Sequence, residues 1–288
     1  MKYLVFFILS MFAIKLNAQD LGAKRYLYGT NEIPGASKKL TDLDERDKPK
    51  LYSHLVQNPN NKDIVFLVIP GGGYGMVAIN HEGHDVAKRL NDAGYNAYVL
   101  DYRLPKKETM IDKRFGPLQD AQYAISIIRK ENKGKKVAVI GFSAGGHLAA
   151  SLSTLYKLPQ TKELKKANLR PDFSILCYPV ITMDEAITHK GTKQNLIGPD
   201  IKESDVELFS TENQINKNSQ PTFLMSAIDD QGVPIENSYR YQSNLNKYKI
   251  PNTIFTYEKG GHGFGLNNKT DSRDWLKAAL EWIDTVNK

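Results

Sequence analysis

Ser143 stands in Gly141-Phe142-Ser143-Ala144-Gly145, between the apolar run Val137 to Gly141 and a helix-prone stretch, Gly146 to Leu155. A serine hydroxyl is a weak nucleophile at neutral pH; it needs a base to take its proton and an acid to orient that base. The G-x-S-x-G spacing at a strand-to-helix turn suits that task. Its glycines relieve crowding where the backbone bends sharply, and the bend holds the serine oxygen above the sheet. The partners are expected downstream in the order carboxylate, then imidazole. Asp229-Asp230-Gln231-Gly232-Val233-Pro234 follows the run Thr222 to Ala227, and Gly261-His262-Gly263-Phe264 follows Thr253 to Tyr257. By spacing alone Asp229 and Asp230 compete for the acid role.

A tetrahedral intermediate also needs donors for its oxyanion. Pro70-Gly71-Gly72-Gly73-Tyr74, behind the run Ile64 to Ile69, can offer N–H groups with no Cβ in the way, together with the amide of Ala144. No G-K-S/T sequence follows those glycines, which argues against a phosphate loop. The aromatic neighbours Tyr74, Tyr102, Phe142 and Phe264 are candidates to line a substrate pocket.

These residues must be carried to one place by regular elements. The runs Ile64 to Ile69, Asn96 to Asp101, Val137 to Gly141, Phe173 to Tyr178, Thr222 to Ala227 and Thr253 to Tyr257 are continuously apolar, as strands buried on both faces are. Amphipathic segments near Glu82 to Asn91, Leu118 to Lys130, Gly146 to Leu155, Ile235 to Lys247 and Ser272 to Val286 alternate with them. The pattern predicts an α/β fold with a mostly parallel central sheet and helices on both faces. Sites in such sheets open at the carboxyl ends of the strands, where all the candidates lie. Residues 181–220 interrupt the rhythm with a polar, cap-like insertion that is expected to roof a pocket. Residues 19–62 read as an N-terminal arm containing an edge strand, Lys50 to Val56, and 63–288 as the catalytic domain.

The chain has 288 residues, with 39 Lys and Arg against 32 Asp and Glu, and 41% hydrophobic residues. That balance excludes a disordered chain or a coiled coil, and the spread of the basic residues argues against a nucleic-acid partner. Leu4 to Ile14 is an apolar run behind Lys2, and Ala18 offers a small residue for cleavage, so residues 1–18 read as a secretory signal peptide. As a helix the run would cover about 16 Å, too short for a membrane anchor. The expected location is periplasmic or secreted. The lone Cys177 permits no internal disulfide. His81-Glu82-Gly83-His84 lacks the H-E-x-x-H spacing of a zinc helix, so no metal is expected. His147 is expected to be packed beneath Ser143, Asp120 to complement the start of a helix, and Trp275 and Trp282 to face the core. His54 and His189 carry no informative context.

Taken together, the segments PGGGY, HEGHDVAKRLNDAGYNAYVLDYRL, GPLQDAQYAISIIR, GFSAGGHLAA, DDQGVP and GGHGFG resemble the α/β-hydrolase superfamily. Within it they resemble the secreted bacterial esterases of the acetylxylan and feruloyl esterase type, related to hormone-sensitive-lipase-like carboxylesterases. The resemblance runs from about Ile64 to the C-terminus. It implies a Ser143, Asp230, His262 triad, because the family's acid stands immediately before an x-x-V-P sequence. It further implies oxyanion donors at Gly72, Gly73 and Ala144, no cofactor, and a small or oligosaccharide ester as substrate. Pro70 stands where lipase relatives have the histidine of His-Gly-Gly-Gly, a departure from the lipase-like branch. Two rival readings are a serine peptidase of the prolyl-oligopeptidase kind and a non-catalytic glycan-binding homologue.

Overall fold

The computed structural model describes residues 22–57 and 62–288; the expected signal peptide, residues 1–18, lies outside them. Eight strands form one sheet: β1 (Ala23–Tyr26), β2 (Lys50–His54), β3 (Ile64–Ile69), β4 (Asn96–Asp101), β5 (Lys136–Phe142), β6 (Phe173–Cys177), β7 (Thr222–Ala227) and β8 (Asn252–Tyr257). Their order is β1-β2-β4-β3-β5-β6-β7-β8. From β4 to β8 all pairings are parallel, whereas β1 on β2 and β2 on β4 are antiparallel. The helices are α1 (Asp85–Asp92), α2 (Gly116–Glu131), α3 (Ser143–Thr154), α4 (Lys190–Leu196), α5 (Glu203–Phe209), α6 (Glu236–Lys247) and α7 (Trp275–Val286).

Strand β3 shows why the apolar runs become central strands. Val65, Leu67 and Ile69 face one core, packed against α2, α3 and α6, while Ile64, Phe66 and Val68 face another, packed against α1 and α7. Both faces are covered, so alternation disappears and every residue of the strand is apolar. Each such side chain contributes about 1.5–3 kcal/mol by leaving water. Trp275 is fully buried and Trp282 partly so, both in the second core.

The segment read as an edge strand is not at the edge. β2 pairs on both sides, with β1 and with β4, and β1 is the outermost strand. β1 is four residues long and its face is largely exposed, with Lys24 and Arg25 in its middle; nothing in it carries an apolar alternation. Asp120 also differs from expectation. It sits inside α2 rather than at its start, is fully buried, and accepts from the Arg103 guanidinium at 2.8 Å and from the Tyr28 hydroxyl at 2.9 Å. Arg103 Nη1 in turn donates to the Pro34 carbonyl at 3.0 Å. Leu27, Tyr28, Ile33 and Leu43 join the first core, so the arm buries apolar surface of its own.

Chain order reverses at β3: β4 lies on one side of it and β5 on the other. The glycine loop leaves the carboxyl end of β3 and Ser143 that of β5, so both open onto the crevice at this switch point.

Candidate active site

Ser143 begins α3 directly after β5 and adopts φ +51°. A left-handed backbone at a non-glycine residue is strained by about 1–3 kcal/mol and persists only where the surroundings impose it. Here they do. The first turn of α3 lies so close to the end of β3 that a Cβ at Gly145 would overlap the Ile69 and Pro70 carbonyls, and one at Gly141 would meet Ala149 and Gly145. The glycines of the motif are therefore required by the approach of two backbones, and the serine is left 6% exposed at the floor of the crevice.

His262, on the loop after β8, places Nε2 2.8 Å from Ser143 Oγ. Its Nδ1 donates to Asp230 Oδ2 at 2.7 Å. A carboxylate only accepts, so the proton of the neutral ring sits on Nδ1 and Nε2 is free to accept from the serine hydroxyl. Asp230 is 2% exposed, and its other oxygen accepts the amides of Gly232 and Val233 at 2.8 and 2.9 Å. Those amides hold the carboxylate in place and leave Oδ2 for the imidazole. Asp229, inseparable from Asp230 by spacing, turns the other way: its Oδ1 accepts the Gly261 amide at 2.8 Å and so anchors the histidine loop. The Tyr178 ring stands edge-on to the His262 ring, 4.9 Å between centroids.

The loop after β3 is gripped at several points. The Pro70 carbonyl accepts from the Tyr102 hydroxyl at 2.9 Å, and the Gly71 amide donates to Glu82 Oε2 at 2.8 Å. The Gly72 carbonyl receives the amides of Gly75 and Met76. Gly72 and Gly73 take φ of +123° and +63°, and their N–H groups donate to no acceptor among the described residues. Ala144, second residue of α3, lies in the first turn, where amides have no intrahelical partner. A Cβ on Gly71 would come 2.9 Å from Ser143 Cβ, so this loop lies against the serine. Three free amides beside a hydroxyl, an imidazole and a carboxylate can take up negative charge on an oxygen while a proton passes along the row.

Three of the four aromatic residues expected in the pocket are interior packing instead. Phe142 is fully buried among Tyr178 and Trp275 on the far face of the sheet. Tyr102 is 1% exposed and spends its hydroxyl on Pro70. Tyr74 is 2% exposed and donates its hydroxyl to His147 Nδ1 at 2.9 Å. Being next to a motif in sequence put these rings behind the site, where they brace its loops. Phe264 alone is half-buried, against Tyr178 and Tyr257.

The insertion brings residues that sequence reading missed. Asn195, in α4, donates to the Gly73 carbonyl at 2.8 Å. His189, at the start of α4, lies beside Gly73, with its Cε1 3.7 Å from where a Cβ there would be. Its Nδ1 accepts the Thr192 amide at 3.1 Å, which leaves Nε2 as the protonated nitrogen of the neutral ring. Burial, and the nearby His262 imidazole, hold its pKa below the usual histidine value, against the pull of Asp230. Neither residue carries a local sequence signal, because each acts on a loop more than a hundred positions away.

His147 is buried as expected, with its Nε2 donating to the Phe209 carbonyl at 2.8 Å. Burial pushes its pKa down to about 4, from 6.5 in the open chain. Above pH 6.5 the ring is neutral folded or unfolded. Between 6.5 and 4 the unfolded chain takes a proton that the folded chain refuses, so stability falls as the pH falls, then levels off for this group. Urea midpoints should be flat above pH 7 and drop across that window, His147 contributing about 1–3 kcal/mol. A His147→Gln variant should lose that part of the slope; an unchanged slope refutes the assignment.

Among the described residues no group of three or more His, Cys, Asp or Glu could hold a metal ion, and no helix is long and apolar enough to cross a membrane.

Comparison with known proteins places this geometry in context. The model of the family described as BD-FAE matches residues 52–245, ending before His262. An acetylxylan esterase of Xylanibacter ruminicola is 32% identical over 267 residues, which cover 89% of this chain and 52% of the relative. The endo-1,4-beta-xylanase B of Butyrivibrio fibrisolvens is 34% identical over 235 residues, covering 79% of this chain and 36% of the relative. The chain thus spans about half, or less, of the length of these curated relatives. Among solved structures, the acetyl ester-xyloside bifunctional hydrolase of Caldicellulosiruptor lactoaceticus superposes with a TM-score of 0.80 at 31% identity, covering 92% of this chain and 97% of that one.

Proposed function

The chain belongs to the BD-FAE family and has the α/β-hydrolase fold, and from that premise we propose that it is an exported serine carboxylesterase. Its substrates would be carbohydrate esters with small, acetyl-type acyl groups, such as acetylated xylo-oligosaccharides. The observation that carries the reading is the unbroken row from Ser143 Oγ to His262 Nε2 at 2.8 Å and from His262 Nδ1 to Asp230 Oδ2 at 2.7 Å.

The reaction is a double displacement. Ser143 Oγ attacks the ester carbonyl carbon as its proton passes to His262 Nε2, and the carbonyl oxygen becomes an oxyanion received by the amides of Gly72, Gly73 and Ala144. The intermediate collapses, the bond to the sugar oxygen breaks, and His262 returns its proton to that oxygen. A water then gives its proton to His262 and attacks the acyl-enzyme, and acetate leaves as Ser143 regains its hydrogen. Asp230 keeps the imidazole in the required tautomer and offsets its charge when protonated. His189, whose ring edge lies beside Gly73 and whose proton sits on Nε2, is the group we assign to a hydroxyl of the bound sugar. The acetyl and xylan specificity is supported by the named activities of the relatives, and export by the apolar leader.

The test is acetate release from acetylated xylo-oligosaccharides, run beside a short aryl acetate and a peptide amide. The expected result is turnover of both esters and not of the amide. Aryl ester hydrolysis with untouched sugars would overturn the substrate class alone. Preferential amide cleavage would favour the peptidase reading. No turnover and no labelling of Ser143 by a fluorophosphonate would leave a glycan-binding protein.

A further inference from the structure

The His-Glu-Gly-His segment, unsuited to zinc by its spacing, turns out to stand behind the active site. Residues Ile79–His84 form a π-helical turn ahead of α1, a wide turn that in proteins frequently accompanies functional positions. It directs Glu82 inward, where the side chain is 3% exposed. Glu82 Oε2 accepts the Gly71 amide at 2.8 Å, and Oε1 accepts the Tyr178 hydroxyl at 2.7 Å. The Tyr178 oxygen accepts the Gly265 amide at 2.9 Å, three residues beyond His262. Trp275 Nε1 donates to the Gly265 carbonyl at 3.0 Å, so the peptide units on both sides of Gly265 are held. One carboxylate therefore ties the loop of free amides to the loop of the imidazole, two segments nearly two hundred residues apart.

Among the described residues no lysine or arginine pairs with this carboxylate; the exposed His81 ring lies 3.8 Å away. Burying a carboxylate is unfavourable unless donors satisfy it, and a hydrocarbon side chain would fill the same space without that penalty. What the carboxylate adds is orientation. The Pro70–Gly71 peptide is held at its carbonyl by Tyr102 and at its amide by Glu82. With that plane fixed, the next two amides can turn toward Ser143 instead of toward the interior. At the other end Tyr178, itself at φ +34°, meets the His262 ring edge-on.

We propose that Glu82 is a positioning residue that sets the oxyanion amides through Gly71 and the catalytic imidazole through Tyr178 and Gly265, so that both halves of the site are aligned by one group. This rests on the esterase reading above. It is distinct from the chemistry of that reading, because Glu82 touches none of the reacting atoms.

The experiment uses the full chain with Glu82→Gln, Tyr178→Phe and the double variant, each assayed on an aryl acetate. Turnover is expressed per active site titrated to completion with a fluorophosphonate. A glutamine can accept from Gly71 but cannot also accept from Tyr178, and phenylalanine removes only the limb toward His262. Each single variant should lower kcat about 10- to 100-fold with KM nearly unchanged, the scale on which small misplacements act. Tyr178→Phe should in addition shift the acid limb of the kcat/KM pH profile. The double variant should be no worse than the weaker single, because the groups form one chain and their effects are not additive. Full kcat per titrated site in the single variants, or additive losses in the double, would overturn the proposal. Should Glu82→Gln fail to fold, Tyr178→Phe decides by itself: wild-type kcat and an unshifted pH profile overturn the proposal. Wild-type protein that neither turns over esters nor takes the label would sink the esterase reading instead.

Discussion

Ser143→Ala is expected to lower kcat on an acetyl ester by about a millionfold, the scale seen when the nucleophile of such a row is removed. The change deletes one oxygen from a side chain that is already almost enclosed, and alanine meets the same left-handed backbone as serine at φ +51°. The fold should therefore persist, with a thermal midpoint close to that of the parent. The amides of Gly72, Gly73 and Ala144 remain, so a residual rate above the uncatalysed reaction is expected. The measurement is turnover beside a melting curve and fluorophosphonate labelling. Substantial activity in a folded Ser143→Ala protein would remove the nucleophile from the mechanism.

Asp230→Asn is expected to reduce kcat about ten-thousandfold near neutral pH. Asparagine can keep its carbonyl oxygen on the amides of Gly232 and Val233, which now meet Oδ1. Its NH₂ then faces His262 Nδ1, which must accept, and the ring proton moves to Nε2. An imidazole with its proton there cannot take another from Ser143. The neighbouring change makes the contrast. Asp229→Asn retains an oxygen for the Gly261 amide, and its effect should stay within about tenfold, the range of a modest loop displacement rather than a wrong tautomer. Both variants are assayed across pH at saturating substrate. A larger loss at Asp229 than at Asp230 would exchange their roles.

What was legible in the chain follows from where each group sits. Ser143, His262 and the glycines after β3 each close an apolar strand at a turn, so strand pattern and turn chemistry locate them without knowledge of the fold. The six strands β3 to β8 match their apolar runs to within one residue at each end. The acid was different. Two adjacent aspartates share one turn, and only the hydrogen bonds of Gly232, Val233 and Gly261 tell them apart. Strand β1 escaped notice because its charged, exposed residues have no period to detect. Asp120 was misjudged because its partners, Tyr28 and Arg103, come from other elements. Tyr74, Tyr102 and Phe142 were misjudged for the opposite reason: nearness in sequence suggested access to a ligand, while packing turned them inward. Glu82, His189 and Asn195 lie beyond local inference altogether, since what they do is defined by backbone groups contributed from elsewhere.

The bond between Asn195 and the Gly73 carbonyl has a bearing on selectivity. It ties helix α4 directly to the loop whose amides would steady the developing charge. An acyl group bulky enough to displace α4 would pull on that loop and draw the amides out of alignment as it entered. Discrimination by size would then be expressed in how fast a seated ester reacts more than in how tightly it is held, and an oversized ester would occupy the crevice as a sluggish guest.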